Sequence, residues 1–320
     1  SGRDGVLRVQ GGLVERFLHE DGSPVVVRAW AEGSDVNVLA EAVDPALVVD
    51  PGALPSRLGG PNGRRQRAQA TATVDPASGA QLERAVERMR FALGLDDDLR
   101  PFYERFRSDR LLGPPIRRKP WVRPRRRPCA WEALAWAVTE QLIEAKEAHA
   151  IQRRLVRRWG PRIEADLLPA PRSRRRPALL RDVPSAELIA GRAPAEIAAL
   201  DLAPSRCVSL IRAAREVASG RSDLSDPASD QRLLSIPGIG PWTVQCLGLF
   251  GRGDPDALPA GDLAYLKLVG RLADLGRRAT VEEVEEFFRP YAPYRGLAGS
   301  FALSGYYKRV AAGPPLKIAA

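Results

Sequence analysis

Cysteines, lysines and long apolar runs are all scarce in this chain of 320 residues. Its three cysteines, Cys129, Cys207 and Cys246, lie far apart in the sequence and cannot build a disulfide framework. No stretch approaches the roughly 20 apolar residues of a membrane-spanning helix. The opening, Ser1-Gly2-Arg3-Asp4, has no apolar signal segment. We therefore exclude a membrane protein and a secreted disulfide scaffold, and we expect a reducing cytoplasm.

Positive charge exceeds negative charge, and arginine supplies nearly all of the excess. Lys and Arg number 49 against 39 Asp and Glu, which leaves a formal net charge of +10 and a pI near 10.0. One explanation is compositional bias, because abundant Ala, Arg, Gly and Pro accompany GC-rich genes. The other is a polyanionic partner, since arginine suits phosphate recognition. Charge by itself leaves a nucleic-acid partner and a compositional origin equally open.

The first 80 residues have the pattern of strands and turns. Residues 25–30, 36–40 and 70–74 are strand candidates because they are rich in β-branched side chains. Asp21-Gly22 is a turn signal, and the Arg-, Gly- and Pro-rich residues 59–67 predict a loop. This part of the chain therefore predicts a small antiparallel sheet.

The apolar spacing then becomes helical. Leu82, Val86, Met89 and Leu93 fall on one face of a helix, and Gly94 is a natural end for it. Further helices are predicted by the same criterion and by a capping box that begins at Thr280. They cover residues 185–190, 193–200, 206–219, 230–250 and 263–275.

Three further stretches complete the predicted organisation of the chain. Residues 114–128 contain too many prolines for a helix, so they form either a solvated linker or a basic segment that crosses near nucleic acid. Residues 131–159 keep the i, i+3, i+4, i+7 spacing of apolar residues and predict one long helix that ends at Gly160-Pro161. A second arginine run, at 172–176, falls in a Pro-rich loop.

The pattern as a whole predicts an α+β protein, with a small antiparallel sheet domain followed by a mostly helical core. Its length suits two or three small domains. We expect a mixed α/β domain at 1–95, a Pro/Arg-rich connecting segment at 96–129, a helical domain at 130–312 and a tail at 313–320.

The most informative stretch is residues 233–244, Leu-Leu-Ser-Ile-Pro-Gly-Ile-Gly-Pro-Trp-Thr-Val. It predicts two helices joined by a tight turn, because Pro241 suits the first position of a helix. Gly238 and Gly240 permit positive φ and the close approach of a partner. The free amides of such a turn attract anions, and a DNA phosphate is the natural anion for a chain of charge +10. An ordinary tight helical hairpin is the alternative.

Asp262 is the candidate catalytic group. It ends the sequence Pro259-Ala260-Gly261-Asp262 and stands at the start of an apolar helix. Taken alone, an N-cap carboxylate is the simpler explanation. Its place after the hairpin reverses that preference and favours a catalytic carboxylate.

Together, the hairpin and Asp262 resemble the helix-hairpin-helix DNA glycosylase superfamily, in which the hairpin grips the DNA backbone and a Pro-x-x-Asp aspartate follows. Residues 137–143, Ala-Val-Thr-Glu-Gln-Leu-Ile, are similar to the family's apolar-x-x-Gln segment. The resemblance covers about residues 80–312. In the alkylated-base branch of the family, the 3-methyladenine DNA glycosylase II type, a sheet precedes this region in the chain, as it is predicted to do here. It implies a monomer that acts on damaged double-stranded DNA in the bacterial cytoplasm, with the nucleoid.

The resemblance also implies roles for individual residues. Asp262 matches the catalytic aspartate, and Leu142 matches the wedge that enters the DNA stack when the target base leaves. The helical spacing of Leu142 supports a core leucine almost as well. The remaining matches are Trp242, Tyr294, Gln141, Cys246 and Leu263 in the base pocket, Gly238, Ile239, Gly240 and Thr243 on the DNA backbone, and the carbonyls of Leu234, Ile236 and Ile239 around a monovalent or divalent cation.

Differences within the family narrow the chemistry. Trp242 stands where bifunctional members carry a nucleophilic lysine, so we expect no Schiff base. An iron–sulfur cluster needs four clustered cysteines, so we expect no cluster and no other cofactor. Cys246 and Leu263 stand where tyrosines are typical, which makes the pocket less aromatic.

The predicted function is that of a monofunctional DNA glycosylase in base excision repair. It would hydrolyse the bond between the sugar and an alkylated or related damaged base and leave an abasic site. A glycosylase for another lesion, such as a deaminated base, is the nearest alternative. A non-catalytic protein that binds damaged DNA through the same hairpin is the alternative from another class.

Overall fold

The computed structural model describes residues 4–51, 77–164 and 179–310. Four of the predictions above lie outside these residues and stay predictions: the strand at 70–74, the loop at 59–67, the arginine run at 172–176 and the tail at 313–320. Within the described ranges, no helix is both long and apolar enough to span a bilayer.

The N-terminal strands form an antiparallel meander. In chain order they are β1 (Leu7–Gln10), β2 (Leu13–Glu20), β3 (Ser23–Glu32) and β4 (Asp35–Ala42), and each pairs with the next. The strands predicted at 25–30 and 36–40 are confirmed within β3 and β4. Asp21 and Gly22, both with positive φ, form the turn between β2 and β3, as expected of an Asp-Gly hairpin.

A second, smaller ribbon pairs β5 (Arg162–Glu164) with β6 (Leu179–Arg181), also antiparallel. It packs on the sheet through a buried apolar cluster. The members of that cluster are Phe17, Val26, Val43, Ile163 and Leu180. The sequence did not predict this ribbon, because strands of three residues are too short to show an apolar alternation.

Helices make up most of the rest of the described chain. They are α1 (Gly79–Leu93), α2 (Arg100–Phe106), α3 (Gly113–Arg118), α4 (Ala130–Glu140), α5 (Ala145–Trp159), α6 (Ala186–Ala190), α7 (Pro194–Ala198), α8 (Pro204–Ala218), α9 (Asp230–Leu234), α10 (Pro241–Cys246), α11 (Leu263–Leu272), α12 (Val281–Phe288) and α13 (Arg295–Val310). The α+β fold class is therefore confirmed. Gly94, with φ +66°, ends α1, and the Thr280 capping box opens α12, as predicted.

These elements divide into two compact units, each built from two separate stretches of the chain. The sheet unit comprises the chain up to Met89 together with residues 142–218, and the hairpin unit comprises residues 90–141 with the chain from Ser219 onward. The sequence instead suggested consecutive segments at 1–95, 96–129 and 130–312. Interleaving of this kind depends on contacts between residues distant in sequence, which local patterns do not contain.

The single helix predicted at 131–159 is wrong. The chain leaves the helix after Glu140 and re-enters it at Ala145, and Leu142 between them has φ +57°. Both helices present apolar residues at helical spacing, so their combined sequence looks like one uninterrupted helix. A left-handed leucine is uncommon and cannot be inferred from such a pattern.

The prediction that residues 114–128 contain no helix is also wrong, because the first of these residues belong to α3. Pro114 and Pro115 lie in the first turn of α3, where a missing N–H removes no hydrogen bond of the helix. Beyond α3, three arginines bind carboxylates. Arg126 Nη1 lies 2.6 Å from an oxygen of Asp97, Arg123 lies 3.5 Å from the other, and Arg127 pairs with the buried Glu132 at 3.3 Å. These arginines are internal anchors rather than parts of a solvated linker.

The core of the hairpin unit holds α11 in place. Tyr265, Leu268 and Val269 of α11 are buried against aromatic side chains from several other helices. These partners include Phe102, Phe106, Phe288 and Phe301. Because α11 is anchored along its length, the position of its first residues, including Asp262 at its N-cap, is set by the core.

Candidate active site

The stretch singled out in the sequence folds as two short helices joined by a tight turn. α9 ends at Leu234, and α10 begins at Pro241. Between them the Ile236 N–H donates to the Leu233 carbonyl at 3.0 Å, and the Ile239 N–H donates to the Ile236 carbonyl at 2.9 Å. The predicted hairpin is therefore present.

The two glycines of the turn differ in what they allow. Gly238 has φ +87°, a conformation that residues with a side chain rarely adopt. Gly240 has φ −109° and ψ 179°, which is ordinary extended backbone, and a Cβ built there would meet nothing within 4 Å. The fold thus requires glycine at 238 but not at 240. The empty space beside Gly240 is open to a molecule that approaches from outside.

Gln141 attaches the end of α4 to this turn. Its side-chain Nε2 donates to the Gly238 carbonyl at 2.8 Å and to Thr243 Oγ1 at 2.9 Å. Thr243 is only 1% exposed. Both amide protons of Gln141 are therefore used within the protein, and the hydroxyl of Thr243 faces inward rather than toward solvent.

Leu142, the residue after Gln141, is fully exposed, at 102% of its reference area, in a left-handed conformation. The structure therefore excludes the core leucine that its helical spacing allowed. Exposure of a large apolar side chain and a strained backbone both cost free energy, and strain of this kind is concentrated at functional sites. The combination is what a wedge for the DNA stack requires.

Asp262 is the N-cap of α11. Its Oδ1 accepts a hydrogen bond from the Ala264 N–H at 2.7 Å, which fixes the carboxylate at the helix start. The residue is partly exposed. Capping occupies one carboxylate oxygen, so the structural and the catalytic interpretations are compatible.

Trp242 and Cys246, two predicted pocket residues on α10, lie close to Asp262. A Cβ on Gly261 would lie 3.7 Å from Cβ and Cδ1 of Trp242, so the indole packs against the residue before Asp262. The pKa of the buried Cys246 thiol is raised well above its usual range by burial and by the negative charges of Glu140 and Asp262. Cys246 is therefore an uncharged thiol at neutral pH.

The indole nitrogen of Trp242 lacks a hydrogen-bond acceptor among the described residues. Trp242 Nε1 is buried and has no hydrogen-bond partner in the described structure. A buried indole N–H without an acceptor costs free energy.

The remaining predicted pocket residues have other surroundings. Leu263 is 45% exposed, directly after Asp262. The ring of Tyr294 packs on the core, with its centroid 5.6 Å from that of Phe102 and 6.4 Å from that of Phe106, both nearly edge-to-face. The core that holds α11 thus also holds Tyr294.

A residue that the sequence analysis missed is Glu140, whose charge contributes to the raised pKa of Cys246. Glu140 ends α4, where a negative charge opposes the helix dipole. No local signal marked Glu140, because the continuous apolar pattern of residues 131–159 does not show that a helix ends there.

A cavity of about 540 Å³ in the hairpin unit is distinct from this group. Neither Asp262 nor Trp242 contributes to its walls, which carry several acidic side chains. The charged lining residues are Asp230, Asp254, Asp256, Glu285, Arg252 and Arg295. Arg252 pairs with Asp230 and Arg295 with Asp256, each at 2.5 Å, so these arginines serve the local structure.

Comparison with known proteins identifies relatives by sequence, although no protein-family model matches the chain. The chain is 28% identical over 210 residues to a Bacillus subtilis protein named DNA-3-methyladenine glycosylase, which covers 64% of this chain and 66% of that protein. It is 30% identical over 215 residues to a Mycobacterium tuberculosis protein named probable bifunctional transcriptional activator/DNA repair enzyme AlkA. That match covers 66% of this chain and 41% of the mycobacterial protein.

Solved structures share the fold over nearly the whole chain. A 3-methyladenine DNA glycosylase from Archaeoglobus fulgidus superimposes with a TM-score of 0.72 at 19% identity, over 96% of this chain and 91% of that one. An 8-oxoguanine glycosylase/lyase from Clostridium acetobutylicum, in complex with double-stranded DNA, gives a TM-score of 0.62 at 13% identity, over 95% and 98%. At these identities the comparison establishes the fold.

Proposed function

We propose that this chain, which belongs to the helix-hairpin-helix DNA glycosylase superfamily, is a monofunctional DNA glycosylase for alkylated or related damaged bases. The observation that carries the proposal is the position of Asp262, capped at the start of α11 and next to a hairpin whose Trp242 packs against Gly261. The sequence relatives named for 3-methyladenine support the alkylated-base branch. The chain would act as a monomer in the bacterial cytoplasm, with the nucleoid.

Asp262 supplies the charge that the reaction needs. As the bond between base and sugar breaks, positive charge builds up on the deoxyribose, and a fixed carboxylate stabilises it electrostatically. The capping bond from Ala264 holds one oxygen, which leaves the second for the sugar or for the attacking water. No lysine occupies position 242, so the reaction ends at an abasic site without a covalent intermediate.

The hairpin and Leu142 hold and open the DNA. Main-chain amides of the turn bind a phosphate, and the open space at Gly240 lets the DNA backbone approach. Leu142 enters the stack where the damaged base leaves it, and damage lowers the cost of that step. Gln141 connects the two, because it precedes the wedge and bonds to the turn.

The base would lie beside Trp242, Cys246, Leu263 and Tyr294. An indole face attracts a cationic alkylpurine by roughly 0.5–2 kcal/mol. The neutral thiol of Cys246 adds volume without charge. Such a pocket favours bases that are already good leaving groups.

The carbonyls of Leu234, Ile236 and Ile239 would hold the cation that the family resemblance implies. The Ile236 carbonyl already accepts from the Ile239 N–H, but a carbonyl oxygen has two lone pairs. Oxygen ligands suit hard monovalent or divalent cations. Within the described residues no cluster of three or more His, Cys, Asp or Glu side chains offers another site. A bound cation would stiffen the turn that holds the phosphate.

Release of a methylated purine from alkylated duplex DNA, followed by alkaline cleavage at abasic sites, tests the proposal. We expect release by the wild type and none above background by Asp262→Asn. Release from deaminated but not from alkylated DNA would identify the other glycosylase specificity. Tight binding to damaged DNA without release of any base would identify a non-catalytic binding protein.

A further inference from the structure

Two arginines face each other across the β5–β6 ribbon of the sheet unit. The register places Arg162 directly opposite Arg181. Side chains directly opposite in an antiparallel pair lie on the same face, about 4.5–5.5 Å apart at Cβ, and like charges in that position are unfavourable. The ribbon thus brings two guanidinium groups together.

A third arginine adds to the same positive field. Burial lowers the pKa of Arg181, and the charges of Arg162 and of Arg157, which is exposed near the end of α5, lower it further. Nη1 of Arg181 is buried and has no hydrogen-bond partner among the described residues. The ribbon therefore holds a partly buried guanidinium with an unsatisfied donor next to two further positive charges.

No carboxylate among the described side chains pairs with these arginines. The adjacent Asp182 is buried and already engaged, because its oxygens accept from Arg16 Nη2 at 3.1 Å and from the His19 main-chain N–H at 3.0 Å. Other arginines of the chain, such as Arg126 and Arg127, bind carboxylates. The three arginines therefore carry an electrostatic cost that no contact in the described structure offsets.

We propose that Arg162 and Arg181 form a phosphate-binding site in the sheet unit, and that its ligand is a phosphodiester of the bound DNA. Guanidinium groups match phosphate oxygens in geometry and bind them through two parallel hydrogen bonds. A bound phosphate would offset the repulsion between the facing guanidinium groups. The choice of DNA as the source of the phosphate rests on the proposed function; the site itself does not.

The test compares Arg162→Gln and Arg181→Gln with Arg158→Gln, which removes the same charge from the neighbouring residue of α5. Affinity for undamaged duplex DNA is measured over a range of salt concentrations. For Arg162→Gln and Arg181→Gln we expect about 3- to 10-fold weaker binding to every sequence and a salt slope smaller by about one. Arg158→Gln should keep the wild-type slope. Slopes unchanged in all three variants would overturn the site as a DNA contact.

Thermal midpoints distinguish a binding role from a structural one. Loss of one facing charge relieves repulsion, so the midpoints of Arg162→Gln and Arg181→Gln should equal or exceed that of the wild type. A lower midpoint in both would overturn the proposal, since it would make the arginines structural. Inorganic phosphate should raise the wild-type midpoint more than chloride at equal ionic strength, and should not do so in the variants. That effect without a change in DNA affinity would overturn DNA as the ligand.

Binding to undamaged DNA does not depend on excision, so the two proposals fail separately. If the wild type releases no base, the proposed function is wrong, whatever the salt slopes show. If the wild type is active and the slopes do not change, only the arginine site is wrong.

Discussion

The side-chain amide of Gln141 donates a hydrogen bond of 2.8 Å to the main-chain carbonyl of Gly238. One residue thus joins the end of α4, where the exposed Leu142 follows, to the turn between α9 and α10. Gly238 has positive φ in that turn. The end of α4 is therefore held to the turn by the side chain of Gln141.

Loss of that link should affect binding and stability together. Gln141→Glu keeps the size of the side chain but cannot donate to the Gly238 carbonyl when ionised. We expect about 1–3 kcal/mol lower stability and weaker binding to DNA, measured by denaturant unfolding and by fluorescence anisotropy. Thr243→Val removes only the second acceptor and should have the smaller effect. Unchanged DNA affinity in Gln141→Glu would show that the link does not support the hairpin's function.

Asp262 can be tested without loss of its cap. Asparagine caps helices about as well as aspartate, so Asp262→Asn should fold with a wild-type thermal midpoint. Its single-turnover excision should fall on the order of 10²-fold or more, because a fixed negative charge is lost. Asp262→Ala should lose activity similarly and also about 1 kcal/mol of stability. An active Asp262→Asn would leave Asp262 as a helix cap only.

Substitutions of the two hairpin glycines should affect different properties: Gly240→Asp should weaken DNA binding, and Gly238→Ala should lower stability. Gly240→Asp fits the fold, because a side chain there meets no neighbour within 4 Å and φ is ordinary. It places a carboxylate where a phosphate should bind, so affinity should fall about equally for all DNA sequences. Gly238→Ala should instead lose about 1–2 kcal/mol of stability, because of its positive φ. Gly240→Asp with normal folding and wild-type affinity would contradict the phosphate contact.

The exposed position of Leu142 predicts that Leu142→Gly is at least as stable as the wild type but less active in excision. Leu142→Gly removes a fully exposed side chain and relieves a left-handed conformation, so stability should stay constant or rise by about 1 kcal/mol. Excision should fall about tenfold or more, since the wedge offsets part of the few kcal/mol needed to extrude a base. Leu142→Met retains an apolar wedge of similar volume and is the matched control. Full activity of the glycine variant would remove Leu142 from the mechanism.

Trp242 in place of a lysine predicts the absence of a covalent intermediate. Borohydride added during excision should trap no protein–DNA adduct, as judged by denaturing gel electrophoresis. Trapping requires an amine that attacks the sugar. An adduct formed by the wild type would show that another amine of the chain serves as the nucleophile.

Several features were predictable from the sequence because their causes are local. The turn at Asp21-Gly22, the end of α1 at Gly94 and the capping box at Thr280 all depend on residues within one turn of each other. The hairpin between α9 and α10 was predictable for the same reason, since Gly238 and Pro241 restrict their own backbone. Asp262 was found because its motif lies a short distance after that hairpin.

Other features depend on residues that only the tertiary structure brings together. The break after Glu140 is invisible in a continuous apolar pattern, and it is accompanied by a bond from Gln141 to a turn distant in sequence. Composition could not tell which arginines are internal anchors, because pairing of Arg126 with Asp97 depends on the packed fold. The facing of Arg162 and Arg181 likewise depends on strand register. The sequence by itself determined the local turns and helices of this protein, whereas long-range packing decided which of the described charges are paired.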